Sequence, residues 1–145
     1  MSTPTIRPAT SDDAGAIAFL LTELGHPTTQ EAVAARWTDW HSEGNCALVS
    51  LDSGGKVTGA ATLHMMTVLH RPYPVGRITA LIVGKTLRGS GVGRTLVEAA
   101  EALLAERGCK LMEITSNLRL TEAHAFYERI GYDRSSVRFS RALGD

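Results

Sequence analysis

The sequence predicts one α/β domain with a mixed, mostly antiparallel central sheet that is flanked by helices. First, strand patterns and helix-period segments follow one another in the order β-α-α-β-β-β-α-β-α-β. Second, a turn pattern at 52–55 joins two strand patterns and predicts an antiparallel hairpin. Third, a glycine-rich stretch joins the strand pattern at 78–83 to a long helix and a strand at 111–115. Such a crossover makes those two strands parallel neighbours.

The first elements in chain order are a short strand at 5–7 and a helix that begins near Ser11. Ser11 is expected to cap the helix, because its hydroxyl accepts hydrogen bonds from N-terminal amides. Asp12 and Asp13 follow in the first turn, where carboxylates suit the helix dipole. Gly25 is expected to end the helix.

A second helix is expected to begin after Thr29, which is a suitable cap. Val33, Trp37 and Trp40 share one face of this helix, and we interpret the two tryptophans as core residues. The next elements are the two hairpin strands and a loop: 46–51, 57–66 and 69–74.

The second half of the chain begins with the strand at 78–83 and the glycine-rich stretch. The following helix continues to Arg107 and stops at Gly108. After the strand at 111–115, the spacing predicts a helix over 121–130 that ends at Gly131. The last predicted elements are therefore this helix and a final strand, 137–143.

Length and composition indicate an ordinary globular protein. The 145 residues suit one domain, 1–145, and 43% hydrophobic with 21% charged residues excludes a disordered chain. The formal net charge is zero, which argues against non-specific nucleic-acid binding. Near-zero charge also permits self-association, so a homodimer is a hypothesis.

Cysteines and hydropathy bear on location. Cys46 and Cys109 form no close redox or metal pair, so a reducing compartment is the simplest interpretation. The sequence has no membrane-length apolar run and no signal layout at its start. We therefore expect a cytoplasmic protein with no membrane partner and no metal.

The most informative stretch is Arg88-Gly89-Ser90-Gly91-Val92-Gly93-Arg94. Its glycines lie where a strand turns into a helix, so backbone N–H groups at the helix N-terminus are open to an anion. The spacing fits neither a Walker A loop nor a dinucleotide fingerprint, because arginines stand where glycine or lysine is needed. A phosphate ligand is one interpretation, and a tight turn without a ligand is the other.

The remaining pattern, Arg-x-x-Gly-x-Gly, resembles the pyrophosphate loop of the GCN5-related N-acetyltransferases (GNAT), which use acetyl-CoA. A second match lies downstream, where Asn117 follows a strand and Ala-x-x-Phe-Tyr-x-x-x-Gly-Tyr occupies the next helix, 123–132. The start at 6–10 also fits, so the resemblance covers essentially the whole chain. The size and the segment 136–139 are most similar to aminoalkylphosphonate N-acetyltransferases.

The resemblance implies roles for particular residues. The backbone of Leu81, Ile82 and Val83 would bind the pantetheine arm and the thioester carbonyl. Main-chain N–H groups of the loop would hold the pyrophosphate; its residues are Arg88, Gly89, Ser90, Gly91, Val92, Gly93 and Arg94. Asn117 would reach the arm, and Tyr127 would lie near the thioester sulfur.

Tyr127 suits the role of general acid. A phenol with a pKa of about 10 is protonated at neutral pH and can donate to a thiolate whose conjugate acid has a pKa near 8.5. By spacing alone, a helix tyrosine that packs against the sheet is the better explanation of Tyr127, and only the family resemblance favours the catalytic role.

The base is the weak point of the match. An alkylammonium with a pKa of about 10.4 is neutral in only about 1 molecule in 2,500 at pH 7. Many relatives place a glutamate on the strand before the loop, where this chain has Arg77. Glu113 is a candidate one strand away, although an ion pair with Arg77 explains it as well. His64 is a second candidate, as a base or as a substrate-binding residue, and the base is left unassigned.

Three basic residues bear on the acceptor. Arg77, His70 and Arg71 would favour an amine that carries an anionic group, or they are simply solvated surface residues. A metal held by His64 and His70 is a weak alternative, because their spacing is not typical of a metal site.

The leading hypothesis is an N-acetyltransferase that transfers acetyl from acetyl-CoA directly to a primary amine of a small molecule. One alternative is acetylation of protein Nα or lysine amines. Another is a non-catalytic module that binds acyl-CoA, against which the presence of both Asn117 and Tyr127 argues.

Overall fold

The computed structural model describes residues 3–144, and its centre is a five-stranded sheet in the order β1-β2-β3-β4-β5. The strands are β1 Thr5–Pro8, β2 Asn45–Leu51, β3 Val57–Met66, β4 Val75–Val83 and β5 Met112–Ile114. Strands β1 to β4 pair antiparallel, and β4 pairs parallel with β5. The predicted mixed sheet with one parallel pair is confirmed.

The helices are α1 Ala14–Leu24, α2 Gln30–Ser42, α3 Val92–Glu106 and α4 Thr121–Arg129, with 3-10 turns at Ser11–Asp13 and Lys85–Leu87. None of the helices within residues 3–144 is long and apolar enough to cross a membrane. The chain divides between Ile114 and Thr115 into two compact units, which are described separately.

The start of the first helix corrects one prediction. Ser11 is not the cap; the Thr10 hydroxyl accepts from the Asp12 N–H, and the Asp13 carboxylate accepts from the Thr10 N–H at 2.8 Å. Arg7 donates two 2.9 Å hydrogen bonds to the same carboxylate and thereby lowers the pKa of Asp13. The carboxylate takes part in the cap because it lies buried beside this cation.

The predicted C-terminus of α1 and the predicted N-terminus of α2 are confirmed. Gly25 follows α1 with a φ of +109°, and the Thr29 hydroxyl caps α2 by accepting from the Ala32 N–H at 3.1 Å. The two tryptophans of α2, Trp37 and Trp40, are half-buried and pack against a core cluster. They contact the core, as the sequence indicated, without being enclosed by it.

The sheet packs helices on both faces. One face joins α1 and α2 through a cluster that consists of Ala9, Ile17, Leu20, Ala47, Val49, Ala60 and Ile82. The other face packs on α3, where a Cβ at Gly76 would lie 2.7 Å from Leu104. Gly76 therefore lets the helix approach the strand closely.

The second unit contains α4, which Gly131 follows with a φ of +104°. The predicted last strand, 137–143, is wrong, because no strand forms there in the described chain. Val137, Phe139 and Leu143 are 66%, 91% and 91% exposed. A strand pattern needs a neighbouring ladder to hydrogen-bond, and this segment has no pairing in the sheet.

Candidate active site

The glycine-rich stretch forms an open loop before α3. Gly89 and Gly91 have φ angles of +82° and +93°, which side chains with a Cβ rarely adopt. A Cβ on either glycine would meet nothing within 4 Å, so the space above the loop is free. The loop is tied back at Ser90, whose N–H and hydroxyl both donate to the carbonyl of Leu87.

The first turn of α3 presents backbone donors. Gly91 is the N-cap and supplies no side-chain hydrogen bond, so the N–H groups of Val92, Gly93 and Arg94 have no intrahelical acceptor. Arg88 and Arg94 are exposed, and Arg94 pairs with Glu98 at 3.0 Å. The loop combines free N–H groups, a helix dipole and two cations, which suits an anionic ligand.

Strand β4 is paired unequally along its two edges. On one edge it pairs with β3 along nearly its whole length, and on the other it pairs with β5 only at residues 76–78. Within residues 3–114, the β5-side edge of residues 79–83 therefore has no strand partner. The register with β3 also slips by one residue here, where Thr62 pairs with Ala80 and the next residue, Leu63, pairs with Ile78.

The free edge exposes particular backbone groups. Gly84 donates to the carbonyl of Thr58 at 2.9 Å, and hydrogen-bonded pairs alternate along an antiparallel ladder. Ile82 therefore directs its N–H and C=O toward β3, whereas Leu81 and Val83 direct theirs toward the free edge. Of the three residues expected to bind a ligand through their backbone, Leu81 and Val83 have groups available, and Ile82 contributes its side chain to the core.

A polar row crosses the sheet on the face that packs against α1 and α2. Asn45 pairs with His64, His64 with Arg77, and Arg77 with Glu113, on four successive strands. Arg77 donates to Glu113 at 3.0 Å, which confirms the ion pair that the sequence left as an alternative. The structure thus brings together three of the four candidate substrate residues, while His70 lies exposed on the connection from β3 to β4.

His64 is held by a short chain of hydrogen bonds. Its Nδ1 lies 2.9 Å from the Oδ1 of Asn45, and the Asn45 Nδ2 donates to the carbonyl of Trp40 at 2.8 Å. No sequence motif indicated Asn45, because its partnership with His64 depends on the register between β2 and β3.

A small cavity opens on the same face of the sheet. Its volume is about 270 Å³, and its walls come from α1, α2 and β3. The lining residues are Ile17, Leu21, Thr28, Val33, Arg36, Trp37, Trp40 and Thr62. Most of these side chains are apolar, with Arg36 as a cation at the wall. Tryptophans assigned to the core therefore also line a cavity of ligand size.

Tyr127 lies half-buried on α4 in the second unit. Burial raises the pKa of its phenol above the ordinary value, so the group stays protonated at neutral pH. Its ring lies 5.4 Å from that of Phe126 and 6.4 Å from that of Tyr132. These contacts suit a proton donor whose ring is fixed by its neighbours.

Asn117 is exposed at the start of the same unit. Its Oδ1 accepts from the Arg119 N–H at 3.1 Å, and its backbone carbonyl accepts from the His124 Nε2 at 2.8 Å. The side-chain Nδ2 makes no hydrogen bond within residues 115–144, so it is free to donate to a ligand. His124 was not singled out from the sequence, and it fixes the turn that carries Asn117.

The cysteines and potential metal ligands add no further site. Cys46 and Cys109 are free and buried, and burial raises the pKa of both thiols. Across residues 3–144, no group of three or more His, Cys, Asp or Glu side chains is arranged to hold a metal ion.

Comparison with known proteins places this arrangement in a family. Residues 14–132 match the model of the acetyltransferase (GNAT) family. Aminoalkylphosphonate N-acetyltransferase of Salmonella typhimurium is 32% identical, over 95% of this chain and 90% of that protein. Aminoglycoside N(6')-acetyltransferase type 1 of Stenotrophomonas maltophilia is 28% identical, over 92% of this chain and 89% of that protein.

Solved structures share the fold of this chain. Glucosamine-6-phosphate N-acetyltransferase from Arabidopsis thaliana superposes with a TM-score of 0.82 at 22% identity, and covers 99% of this chain and 100% of that one. At this identity the likeness concerns the fold alone. The family match and the curated relatives together show that the chain belongs to the GNAT acetyltransferase family and is an acetyl-CoA-dependent N-acetyltransferase.

Proposed function

We propose that the protein transfers acetyl from acetyl-CoA directly to the primary amine of a small molecule. The observation that carries the proposal is the cavity of about 270 Å³ between α1, α2 and β3. Its size is near the lower end of small-ligand pockets, about 300 to 1,000 Å³. A protein or peptide acceptor would instead need an extended groove. The two relatives named above are called N-acetyltransferases of aminoalkylphosphonates and of aminoglycosides, which are small amines, and this agrees with the choice.

The donor is bound, in this proposal, by backbone groups of the first unit and by Asn117. The outward N–H and C=O groups of Leu81 and Val83 pair with the pantetheine amides, as an added strand would. The loop 88–94 receives the pyrophosphate through the free N–H groups at the start of α3. The Asn117 Nδ2 donates to the arm. Open space above Gly89 and Gly91 supports the close approach that this requires.

The chemistry needs a polarised carbonyl and a protonated leaving group. The outward N–H of Leu81 is our choice for the donor to the developing oxyanion, because backbone donors there supply a large share of acyl-transfer catalysis. Tyr127 donates its phenolic proton to the departing thiolate. Its raised pKa supports this role, because the proton is present throughout the physiological range.

The acceptor class that we place first is an amine with an anionic group, such as an aminoalkylphosphonate. Arg36 lines the cavity, and Arg77 lies on the same face of the sheet. The relative that is 32% identical is named for acetylation of aminoalkylphosphonates. The cation of Arg36 at the cavity wall favours such acceptors over polyamines through charge attraction.

A thiol-release assay with acetyl-CoA tests the proposal. The panel contains 2-aminoethylphosphonate, amino acids, polyamines, an aminoglycoside and peptides with free Nα or lysine amines, and a reaction without acceptor is the control. Turnover of small amines at a higher kcat/KM than of peptides is the expected result. Faster turnover of peptides would favour the protein acetyltransferase. Tight binding of CoA in calorimetry, with silence across the panel, would favour the non-catalytic module.

Domain organisation, location and partners complete the proposal. We take residues 1–145 as one acetyltransferase domain, located in the cytoplasm and able to form a homodimer, without nucleic-acid or membrane partners. The zero net charge supports the exclusion of nucleic acid and permits self-association. Sedimentation velocity over a range of concentrations tests the dimer, which predicts a species of twice 15.5 kDa.

A further inference from the structure

We propose that His64 is the general base that takes the proton from the acceptor amine, and that Asn45 is the residue that positions it. The inference rests on the proposed function, because it presumes an amine acceptor in the cavity beside β3. It assigns the base that the arginine at position 77 leaves missing on β4.

The hydrogen bonds fix which nitrogen of His64 carries the proton. The carbonyl of Trp40 accepts only, so the group of Asn45 that faces it is the amide Nδ2. The Oδ1 of Asn45 then faces His64 and is itself only an acceptor. The Nδ1 of His64, 2.9 Å away, must therefore carry a hydrogen. In the neutral ring this leaves the Nε2 with a free lone pair, which is the form that a general base requires.

His64 lies on the face of the sheet that carries the cavity, beside the cavity rather than among its lining residues. Within residues 3–114, the Nε2 of His64 makes no hydrogen bond. In the described chain, Arg77 Nε is the one fully buried side-chain nitrogen or oxygen without a partner. Because the Nε2 of His64 also has no partner, it must keep some solvent-accessible surface. Thr62, two residues earlier on β3, lines the cavity, and residues two apart on a strand share a face.

The charged groups around His64 do not include a free carboxylate that could act as the base in its place. Arg77 faces it from β4, and behind Arg77 lies Glu113 of β5. Glu113 is the other candidate, but its carboxylate is engaged by Arg77 at 3.0 Å. From β2 the facing group is the uncharged Asn45, and Arg36 of α2 is the cation at the cavity wall. No free carboxylate lies in the row that contains His64.

The proton balance of the reaction is complete with these groups. The ammonium of the acceptor gives one proton to the Nε2 of His64, and the neutral nitrogen attacks the thioester carbonyl carbon. The carbon–sulfur bond breaks as the carbonyl re-forms, and Tyr127 protonates the thiolate. The second proton leaves the nitrogen for water, and the Tyr127 phenol is restored by a proton from water. His64 then releases its proton to water, so one amide, one thiol and one proton are formed.

The decisive measurement is the pH dependence of kcat/KM for wild type and His64→Gln from pH 6 to 9. The acceptor is the best amine of the panel, with 2-aminoethylphosphonate as the first probe. Wild-type kcat/KM should depend much less steeply on pH, because His64 takes the proton from the ammonium form of the acceptor, which predominates at neutral pH. The His64→Gln variant lacks this base and can use only acceptor that is already neutral in solution. Its kcat/KM should therefore rise about tenfold per pH unit over the whole range. At pH 7 it should be lower than wild type by at least about tenfold.

A matched control and a second variant separate catalysis from structure. His26→Gln makes the same replacement at an exposed histidine outside the row and should match wild type. Calorimetry should give the same acetyl-CoA affinity for all variants, since none touches the proposed donor site. Asn45→Ala should lower kcat by about three- to tenfold, and should cost nothing further in the His64→Gln background, because it acts through His64.

The outcomes distinguish the two proposals. A wild type that turns over no amine refutes the proposed function. An active wild type together with a His64→Gln variant that keeps its kcat/KM within twofold and the same pH profile overturns the role of His64 alone. Additive losses in the Asn45→Ala, His64→Gln double variant would overturn the positioning role of Asn45.

Discussion

The two halves of β4 differ although they belong to one strand. Residues 76–78 are paired on both edges, with β3 and with β5, and residues 79–83 are paired with β3 alone. The doubly paired half carries Arg77 in the polar row with Glu113. The singly paired half carries Leu81 and Val83, whose backbone groups face an open edge.

The difference assigns distinct roles to side chains and backbone. In the doubly paired half, the backbone N–H and C=O groups are hydrogen-bonded to β3 and β5, so only side chains remain to contact an acceptor. In the singly paired half the backbone itself is available, as it is at any sheet edge. One short strand therefore offers side-chain chemistry at its beginning and main-chain hydrogen bonds at its end, on the way to the glycine loop.

Proline substitutions in β4 should have the largest effects, and they test which backbone groups face β3 and which face the open edge. Ile82→Pro removes an N–H that the ladder uses and a fully buried side chain, so the free energy of unfolding should fall by about 4 kcal/mol or more. Leu81→Pro removes an outward N–H and should fold, with a smaller loss of stability. Its kcat should fall by about 100-fold, because it lacks the proposed oxyanion donor. Urea denaturation and the thiol-release assay measure both effects.

Equal destabilisation by the two prolines would contradict the assignment of inward and outward groups. Normal turnover by a folded Leu81→Pro variant would remove its N–H from the mechanism.

A substitution in the loop that follows the open half gives the next largest effect. Gly91→Val and Gly108→Val place the same side chain at φ angles of +93° and +99°, at opposite ends of α3. Both sites are open, so both variants should lose about 1 to 2 kcal/mol of stability through backbone strain alone. Only Gly91→Val should weaken CoA binding, by at least about 100-fold in Kd, because its side chain occupies the space proposed for the pyrophosphate. Equal CoA affinities of the two variants in calorimetry would show that the loop does not bind the pyrophosphate.

Tyr127→Phe leaves both halves of β4 intact and tests the proton donor. We expect kcat to fall by at least about tenfold, or about 1.4 kcal/mol, with little change in acetyl-CoA affinity. Because burial raises the pKa of Tyr127 above its ordinary value of about 10, wild-type kcat should not decline between pH 7 and 10 through loss of this proton. Unchanged turnover of the variant at saturating acetyl-CoA would remove Tyr127 from the mechanism.

Glu113→Gln in the doubly paired half should have the smallest effect. The side chains of Arg77 and Glu113 are 33% and 40% exposed, so breaking their ion pair should cost at most about 1 kcal/mol in the free energy of unfolding. Glu98→Gln, which breaks the exposed pair with Arg94, is the matched control and should cost about 0.3 to 0.5 kcal/mol. Turnover should stay within about twofold of wild type. A tenfold loss of kcat would make Glu113, rather than His64, the base.

Much of the fold follows from local pattern. The hairpin turn, the cap at Thr29 and the glycines that end the helices are set by short-range chemistry, and the structure confirms them. The final strand at 137–143 fails for the opposite reason. Alternation of residues describes a strand only when a neighbouring strand accepts its hydrogen bonds, and residue spacing alone says nothing about that neighbour.

The candidate site was predictable in its parts and not in its arrangement. The loop, Asn117 and Tyr127 could be proposed from the sequence because they belong to compact motifs. Asn45 was missed because a register shift between Ser50 and Leu51 intervenes between the hairpin turn and His64. If the pairing of Leu51 with Val57 continued without that shift, Gly44 rather than Asn45 would lie opposite His64. A one-residue slip also moves every side chain of the strand to the opposite face of the sheet.

The sequence by itself determined the order of elements as far as α4, the glycine-rich loop before α3 and the family, because each depends on residues close together in the chain. The tertiary structure decided which backbone groups of β4 are free and which side chains of four strands form one row. It also decided that Arg77 engages Glu113 and that Asn45 leaves the Nε2 of His64 open. Those features depend on strand register and on where pairing stops, which are set by packing between segments that lie far apart in the chain.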